Sequence, residues 1–453
     1  MPAPATLVWF RQDLRLEDNP ALDAAVKRGG TVIPVYIWAP EEEGGWAPGG
    51  ASKWWLHHSL ASLEGELRKI GLQLVIRQGP SREQLEGIAK ASGANAIVWN
   101  RRYEPWALQR DAKVKKELHA KGYAVETFNG SLLFEPWTIS NKQNKRFQVF
   151  TPFWKHCSSL PQEKPLKAPV QALGKKIESL PLEELGLLPR IHWDAGIAKA
   201  WEPGAPHAKK SFDAFLKENI LQYHELRNRP DLPGVSRMSP HLHFGEVSPR
   251  MLWRAILEKY SGEEEGVACY LRELGWREFA YHLVYHFPKT VDRPLREEFA
   301  AFPWREDVKR LKAWQKGMTG YPIVDAGMRE LWTTGWMHNR VRMIVGSFLV
   351  KDLRIHWLEG AKWFWDTLVD ADMANNTLGW QWVAGCGADA APYFRIFNPT
   401  TQGKKFDPEG AYVRKWVPEL ASGKTYPHPI VDHKIARDEA LQAFKQRKKE
   451  TYA

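Results

Sequence analysis

The residues able to do chemistry concentrate in four stretches of the second half of the chain. In Cys269-Tyr-Leu-Arg-Glu-Leu-Gly-Trp-Arg-Glu278, Glu273 and Trp276 stand three apart, so a helix projects both from one face. A carboxylate beside an indole suits a flat, hydrogen-bonding, base-like ligand. A surface glutamate next to a half-buried tryptophan has the same signature. Thr334-Gly-Trp-Met-His-Asn-Arg-Val-Arg-Met343 crowds His338, Asn339, Arg340, Arg342 and Met343 together at the entry to an apolar run, 343–350. Arginines there need anionic partners, because an unpaired buried charge is costly. Asp370-Ala-Asp-Met-Ala-Asn-Asn376 offers them and continues into Trp380-Gln-Trp382, polar and aromatic at once. Gly234-Val-Ser-Arg-Met-Ser-Pro240 places small hydroxyl residues before a helical pattern, as a phosphate cradle does. An ordinary N-capping loop has the same composition.

These stretches need a scaffold, and the chain supplies two kinds. Over the first 130 residues, short β-branched or aromatic runs at 6–10, 31–38, 72–76, 96–100 and 124–128 alternate with helical stretches such as 52–70 and 81–91. That alternation predicts right-handed crossovers and a five-stranded, parallel, doubly wound α/β sheet. No Gly-x-Gly-x-x-Gly follows any of the strands, so a dinucleotide in the Rossmann manner is not expected there. Between Gly130 and Gly204 the pattern dissolves into a proline-rich connector, expected to wrap over the surface. Beyond Trp201 the periodicity is helical, with helices expected at 208–218, 249–260, 267–286, 303–317, 324–333, 335–352 and 361–371. The expected organisation is an α/β unit over 1–130, a linker over 131–204 and an all-α unit over 205–453.

Composition bounds the partners. The chain has 453 residues with 64 Lys+Arg against 53 Asp+Glu, a net charge of +11, and is 43% hydrophobic and 26% charged. This excludes a wholly disordered chain. No apolar run approaches the roughly 18 residues of a membrane helix. The start, Met1-Pro-Ala-Pro-Ala, lacks a secretory pattern. Cys157, Cys269 and Cys386 fit neither a disulfide framework nor a zinc site. A soluble cytoplasmic protein without metal is expected. The basic balance suits nucleic acid but does not decide it, and the run at 445–450 reads most simply as a solvated helix end, with contact to DNA the alternative. Twenty-three tryptophans are a large excess.

Taken together, the motifs resemble a known family. Trp9-Phe-Arg-Gln-Asp-Leu-Arg15, Gly320-Tyr-Pro-Ile-Val-Asp325, Trp336-Met-His-Asn-Arg340 and Ala390-Ala-Pro-Tyr-Phe-Arg-Ile-Phe-Asn-Pro399 resemble the photolyase/cryptochrome family, closest to microbial cyclobutane pyrimidine dimer photolyases. Glu41-Glu-Glu-Gly-Gly-Trp46 with Ala51-Ser-Lys-Trp-Trp-Leu56 is similar to the branch nearest plant cryptochromes. The resemblance implies FAD in the helical unit and a second, light-harvesting chromophore at the α/β unit. It implies flavin contacts from Tyr223, Val235, Ser236, Arg237, Met238, Ser239, Tyr270, Arg277 and Asn339. Arg342 and Asp370 would form an ion pair beside the flavin, with Ala371 and Asp372 adjoining and Asn376 facing N5. Where many relatives carry threonine this chain has Val235, losing one hydroxyl.

By the same resemblance, Glu273 would hydrogen-bond the dimerised bases between Trp276 and Trp382. Asn339, Arg340 and Met343 would complete the lesion site, and Arg227 and Gln402 would be outer DNA contacts. Trp380, Trp357 and Trp304 match the family's electron-transfer chain. The implied function is a deoxyribodipyrimidine photolyase, a carbon–carbon lyase in which light-driven electron transfer from reduced FAD splits dimers in DNA. A cryptochrome-type blue-light receptor is the runner-up; Asn376 and the short tail favour repair. A (6-4) photolyase is associated with histidines where Asn339 and Met343 stand. The antenna is expected to be methenyltetrahydrofolate, with 8-hydroxy-5-deazaflavin open, because Trp106-Ala107 replaces the Asn-Glu pair of some folate-binding relatives. Candidate antenna neighbours are Trp38, Trp46, Lys53 and Glu104. A monomer with no membrane and no obligate protein partner is expected.

Overall fold

The computed structural model describes residues 5–390, 392–422 and 425–450, and the side chains of 447–450 are outside the description. The first four residues, Ala391 of the 390–399 motif and the end of the basic tail therefore lie outside the described residues. Five strands form one sheet: β1 Ala5–Phe10, β2 Thr31–Trp38, β3 Val75–Gln78, β4 Ala94–Asn100 and β5 Ala124–Phe128. All pairs are parallel, in the order β3-β2-β1-β4-β5. The doubly wound expectation holds because helices on both faces bury the sheet: α1 Pro20–Arg28, α2 Gly50–Lys69, α3 Ser81–Ser92 and α4 Pro105–Ala120. β1, central, is buried throughout. Pro34 pairs with Val8, and β3 begins only opposite Val35, so the proline lies where β2 has a single neighbour.

The stretch after β5 is more structured than a surface connector. It contains α5 Phe150–Cys157 and α6 Ala195–Ala200, and Phe150, Phe153 and Cys157 of α5 are buried against the helical lobe. That lobe runs α7 Ala205–Glu218, α8 Tyr223–Leu226, α9 Ser239–His243, α10 Pro249–Leu257, α11 Glu265–His286, α12 Val308–Gln315, α13 Pro322–Thr334 and α14 Asn339–Ser347. It ends with α15 Trp357–Thr367, α16 Met373–Ala384, α17 Pro399–Phe406, α18 Ala411–Trp416, α19 Glu419–Ser422 and α20 His433–Glu450.

Two expectations about helices change. The helix expected over 335–352 begins only at Asn339 and ends in a π turn, Phe348–Asp352. Gly335, at φ 66°, terminates α13, and the His338 side chain accepts from the Arg340 N–H to start α14 afresh. The stretch 373–384 is a helix, capped by Asp372, whose side chain accepts from the Asn375 N–H. Its apolar and polar residues surround it on all sides, so it carries no amphipathic stripe to betray it.

The Trp9–Arg15 motif latches the two lobes together. Arg15 donates to the carbonyls of Gly245 at 2.9 Å and Gly130 at 2.6 Å, and Leu14 N–H donates to the Phe244 carbonyl at 3.1 Å. Gly245 adopts φ 65°, and a Cβ there would lie 2.1 Å from the Gln12 carbonyl. A glycine is required at that crossing. Asp18 completes the latch by pairing with Arg250 at 3.0 Å.

Candidate functional site

The helical lobe encloses a cavity of about 550 Å³ whose walls are α8, the loop before α9, α11, α14 and α16. Tyr223, the run Val235–Ser239, Tyr270, Arg277, Asn339, Arg342, Asp370, Ala371, Asp372 and Asn376 all line it. So do Glu273, Trp276, Trp380, Trp382, Arg340 and Met343. Four stretches far apart in sequence thus converge on one space.

One end is built for an anion. Tyr270 donates to the Ser236 hydroxyl at 3.0 Å, and Tyr223 and Tyr270 pack edge to face at 5.1 Å. Arg237 sits at φ 55°, a conformation that costs a non-glycine residue about 1 kcal/mol or more and persists where surroundings impose it. Its guanidinium rests 3.9 Å from the Trp201 ring centroid and 5.2 Å from that of Trp336. Burial lowers its pKa. Its Nε, like Nε of Arg340 and the indole N–H of Trp380, has no hydrogen-bond partner among the described residues. At Gly379, on the wall, an added Cβ would meet nothing within 4 Å and would enter the space instead.

The middle holds fixed charges. Arg342 Nη2 contacts both Asp370 oxygens, at 3.0 and 2.8 Å, while its Nε donates to the Met337 carbonyl at 2.7 Å. Asp372 is buried, which alone would raise its pKa. The His243 ring 3.6 Å away, the Arg277 charge and a hydrogen bond from Tyr281 outweigh that and hold it low. Asn376 donates through Nδ2 to the Ala361 carbonyl at 3.1 Å, which leaves its Oδ1 as the free acceptor.

At the other end Glu273 is half-buried and accepts from Arg227 at 2.6 Å. Burial pushes its pKa up, and the Arg227 charge opposes this without reversing it. Arg227 lines the cavity at this end, with its guanidinium over the Tyr223 ring at 5.7 Å. Trp276 and Trp382 are half-buried on the wall, and Asn339 is exposed at its rim. Gln402 lies apart, half-buried on α17.

Trp380 is 3% exposed and its ring lies 4.9 Å from Phe364 and 6.2 Å from Trp314. A Cβ at Gly360 would touch that ring at 2.1 Å, so Trp380 packs on α15 one turn from Trp357, itself 1% exposed. His356 stands between Trp357, at 5.7 Å, and half-buried Trp304, at 5.2 Å. Trp357 and Trp304 thus flank His356, and Trp380 meets α15 at Gly360.

His243, Trp336, Phe364 and Asn375 also line the cavity but escape the residue-by-residue reading. Trp336 lies inside a quoted motif. His243 and Asn375 needed only the spacing rule applied from Ser239 and Asp372. Phe364 looks like ordinary core and had no signal.

Beside the sheet, a second cleft of about 70 Å³ is lined by Trp9, Arg11, Tyr36, Trp38, Glu43, Trp46, Arg102, Arg110 and Trp365, and shares His243 and Ala371 with the large cavity. Glu43 joins Arg102 at 2.7 Å and Arg110 at 3.1 Å, and accepts from the Trp106 indole at 2.8 Å. Burial raises the Glu43 pKa, but the two arginines bring it down to about 2. Trp38 and Trp46 are brought to this cleft; Lys53 is not, and Glu104 reaches it only through its pair with Arg102. Trp106 sits in the cleft's charge network rather than on its wall.

His338, buried behind the Arg340–Arg342 pair, gives a test of this electrostatic picture. Burial chiefly, and then those arginines, lower its pKa to about 4. Its folded pKa lies below the unfolded value, so neutral His338 stabilises fully above about pH 6.5 and progressively less as pH falls toward 4. His338→Asn keeps a capping oxygen and removes the titration. Between pH 6.5 and 5 the parent should lose about 2 kcal/mol more than this variant in denaturant unfolding. Parallel pH profiles would contradict the assignment.

A partly buried Arg342–Asp370 pair, an oriented Asn376 amide and aromatic walls make the cavity that of a protein binding a large, flat, hydrogen-bonding ligand. Comparison with known proteins agrees. Residues 6–171 match the family described as DNA photolyase and residues 270–423 the FAD binding domain of DNA photolyase. The deoxyribodipyrimidine photo-lyase of Agrobacterium fabrum is 45% identical over 475 residues, covering 98% of each chain. Cryptochrome-1 of Arabidopsis thaliana is 43% identical over 434 residues, 92% of this chain and 63% of its own. The crystal structure of a bacterial class III photolyase from Agrobacterium tumefaciens superposes with TM-score 0.95 at 44% identity, covering 99% of this chain and 98% of that one. The chain belongs to the photolyase/cryptochrome family, and its helical lobe is an FAD-binding domain.

Proposed function

We infer that the protein is a deoxyribodipyrimidine photo-lyase that repairs cyclobutane pyrimidine dimers in DNA. The observation that carries this is the presence, on one cavity, of a lesion end (Glu273, Trp276, Trp382) and a flavin end (Arg237, the Arg342–Asp370 pair, Asn376). FAD, when bound, supplies a light-absorbing one-electron donor. The protein's part is to hold, orient and shield. Ser236, Arg237 and Ser239 take the pyrophosphate, and Arg342–Asp370 fixes charge beside the ring system. Asn376 offers a neutral acceptor, which favours a protonated flavin N5 without adding charge. Burial that raises the Glu273 pKa favours the protonated carboxyl, able to donate to a pyrimidine carbonyl. Trp276 and Trp382 present indole faces to unstacked bases.

A dimer within a duplex cannot reach this cavity, so it is turned out of the helix; photolyases are a standard instance of base flipping. Arg340 and Arg227 at the site and Gln402 on α17 are suited to the flanking strand. With FAD bound, Trp380, Trp357 and Trp304 would be the residues placed to pass electrons between the cavity and the surface.

The second cleft supports an antenna chromophore on the α/β lobe, residues 1–130, with the helical lobe from 205 catalytic. Indoles from Trp38 and Trp46 suit the flat ring of methenyltetrahydrofolate, the chromophore favoured here, or of 8-hydroxy-5-deazaflavin, while Arg102 and Arg110 are already paired with Glu43 and fix the charge of the cleft. No helix among the described residues is long and apolar enough to cross a membrane.

The test is repair of ultraviolet-damaged DNA by protein with fully reduced FAD. Intact thymines should return under blue light and not in darkness, and binding should weaken with salt. Dark repair at the same rate, or none in light, would refute the photo-lyase reading and leave the light-receptor alternative. Chromatography of released chromophores decides the antenna.

A further inference from the structure

The lesion end of the cavity has a support that comes from outside the helical lobe. Trp276 on α11 is half-buried, and Phe150, the first residue of α5, stacks on it with ring centroids 3.6 Å apart and planes 8° from parallel. Phe150 is 4% exposed and lies parallel to Trp154 on its own helix, at 6.3 Å and 7°. Trp154 in turn packs on α11 at Gly275, where an added Cβ would meet its ring at 2.3 Å. The α11 glycine next to Trp276 thus admits α5 close enough for the stack to form.

The start of α5 has no side-chain cap of its own. The Phe150 N–H instead donates to Asp389 Oδ2 at 3.3 Å. Asp389 sits at φ 47° in the loop that follows α16, the helix carrying Trp382. One hydrogen bond therefore ties the backing of one lesion-facing tryptophan to the segment after the other.

We propose that Phe150 is a positioning residue for lesion recognition: it sets the ring plane of Trp276, and Asp389 sets Phe150. This rests on the reading of Trp276 as a wall of the lesion site. The physical basis is rotational freedom. A half-buried indole has one face toward the cavity, and a base stacks on that face only if the ring plane is held parallel to it. With Phe150 flush against the other face, the plane is fixed before the base arrives, and ordering costs nothing at binding. A leucine at 150 keeps apolar volume but offers no flat face. Loss of Asp389 removes a cap without touching Trp276.

The experiment compares Phe150→Leu, Asp389→Ala and Trp276→Ala with the parent, each holding FAD, by titrating a dimer-containing oligonucleotide and the same oligonucleotide undamaged. An aromatic stack is worth a factor of about five in affinity. Phe150→Leu should therefore raise the Kd and KM for damaged DNA about fivefold, with kcat under saturating light and undamaged-DNA affinity nearly unchanged. Asp389→Ala should move them in the same direction by a smaller factor. FAD content and thermal midpoint identify any variant that has simply lost its fold, and Asp389→Ala then carries the test. If Trp276→Ala weakens damaged-DNA binding while Phe150→Leu and Asp389→Ala leave it unchanged, the positioning role is overturned and the lesion site stands. Equal weakening for damaged and undamaged DNA overturns it too, since a general loss of structure would do that. If Trp276→Ala itself binds damaged DNA as the parent does, the lesion-site reading fails, and the proposal with it.

Discussion

Replacing Trp380 by phenylalanine is expected to slow photoreduction of oxidised FAD by roughly a hundredfold, equivalent to about 2.7 kcal/mol in the barrier, while chemically reduced enzyme repairs nearly normally. Trp380 touches the cavity and packs on Gly360, one turn along α15 from Trp357. An indole gives up an electron far more readily than a phenyl ring, so the substitution removes the donor yet keeps an aromatic filler. No hydrogen bond is lost, because the Trp380 indole N–H has no partner among the described residues. The fold should survive with a small packing loss against Phe364 and Trp314. The measurement is flash photoreduction with an external reductant, beside repair after dithionite reduction. Photoreduction at the parental rate would place the route elsewhere. A companion change, Gly360→Ala, inserts a methyl where the ring lies 2.1 Å away, and should displace Trp380 and slow the same step with the indole still present.

The parts legible in the sequence were those with a local signature. The strands of the α/β lobe announced themselves because β-branched runs recur between helical stretches, and β3 alone is shifted, to Val75–Gln78 from the expected 72–76. The helix at 373–384 was missed since Asp372, Asn375, Asn376, Trp380 and Trp382 spread chemistry around it. Its cap, Asp372, was readable, but its side chains serve a cavity rather than a single core face. α15 begins at Trp357 instead of 361, for the His356 side chain accepts from the Leu358 N–H and starts the helix early. The Arg342–Asp370 pairing was inferable from charge alone, because arginines beside an apolar run need anions. The Arg227–Glu273 pair was not, since a gap of 46 residues gives no spacing rule. The α5 segment, taken as linker, carried its information in Phe150 and Phe153 among prolines and lysines, where composition outweighs pattern.

Asn376 gives the second large effect. Its Nδ2 donates to the Ala361 carbonyl at 3.1 Å, so its orientation is set by the backbone of α15 and its oxygen is the atom left to meet the flavin. In Asn376→Asp the donor is gone and a carboxylate oxygen faces the Ala361 carbonyl, which repels it. The side chain either swings away or takes a proton, and in its ionised form it adds a negative charge to a half-buried wall. A flavin that must itself become anionic is then harder to reduce, by about 2 kcal/mol or ~90 mV for one electron at an effective dielectric near 20. Asn376→Cys adds no charge but substitutes a weak acceptor, so its shift should have the same sign and be smaller. Both variants should fold and bind FAD, because Arg237 and the Arg342–Asp370 pair are untouched. The measurements are the flavin reduction potential and the half-life of reoxidation in air, each beside the parent. Lower potentials and faster reoxidation, larger for Asp than for Cys, are the expected result. Unchanged values in both variants would mean that Asn376 does not face N5, and the flavin would have to be turned within the cavity so that Asn375 or Asp372 meets that edge instead.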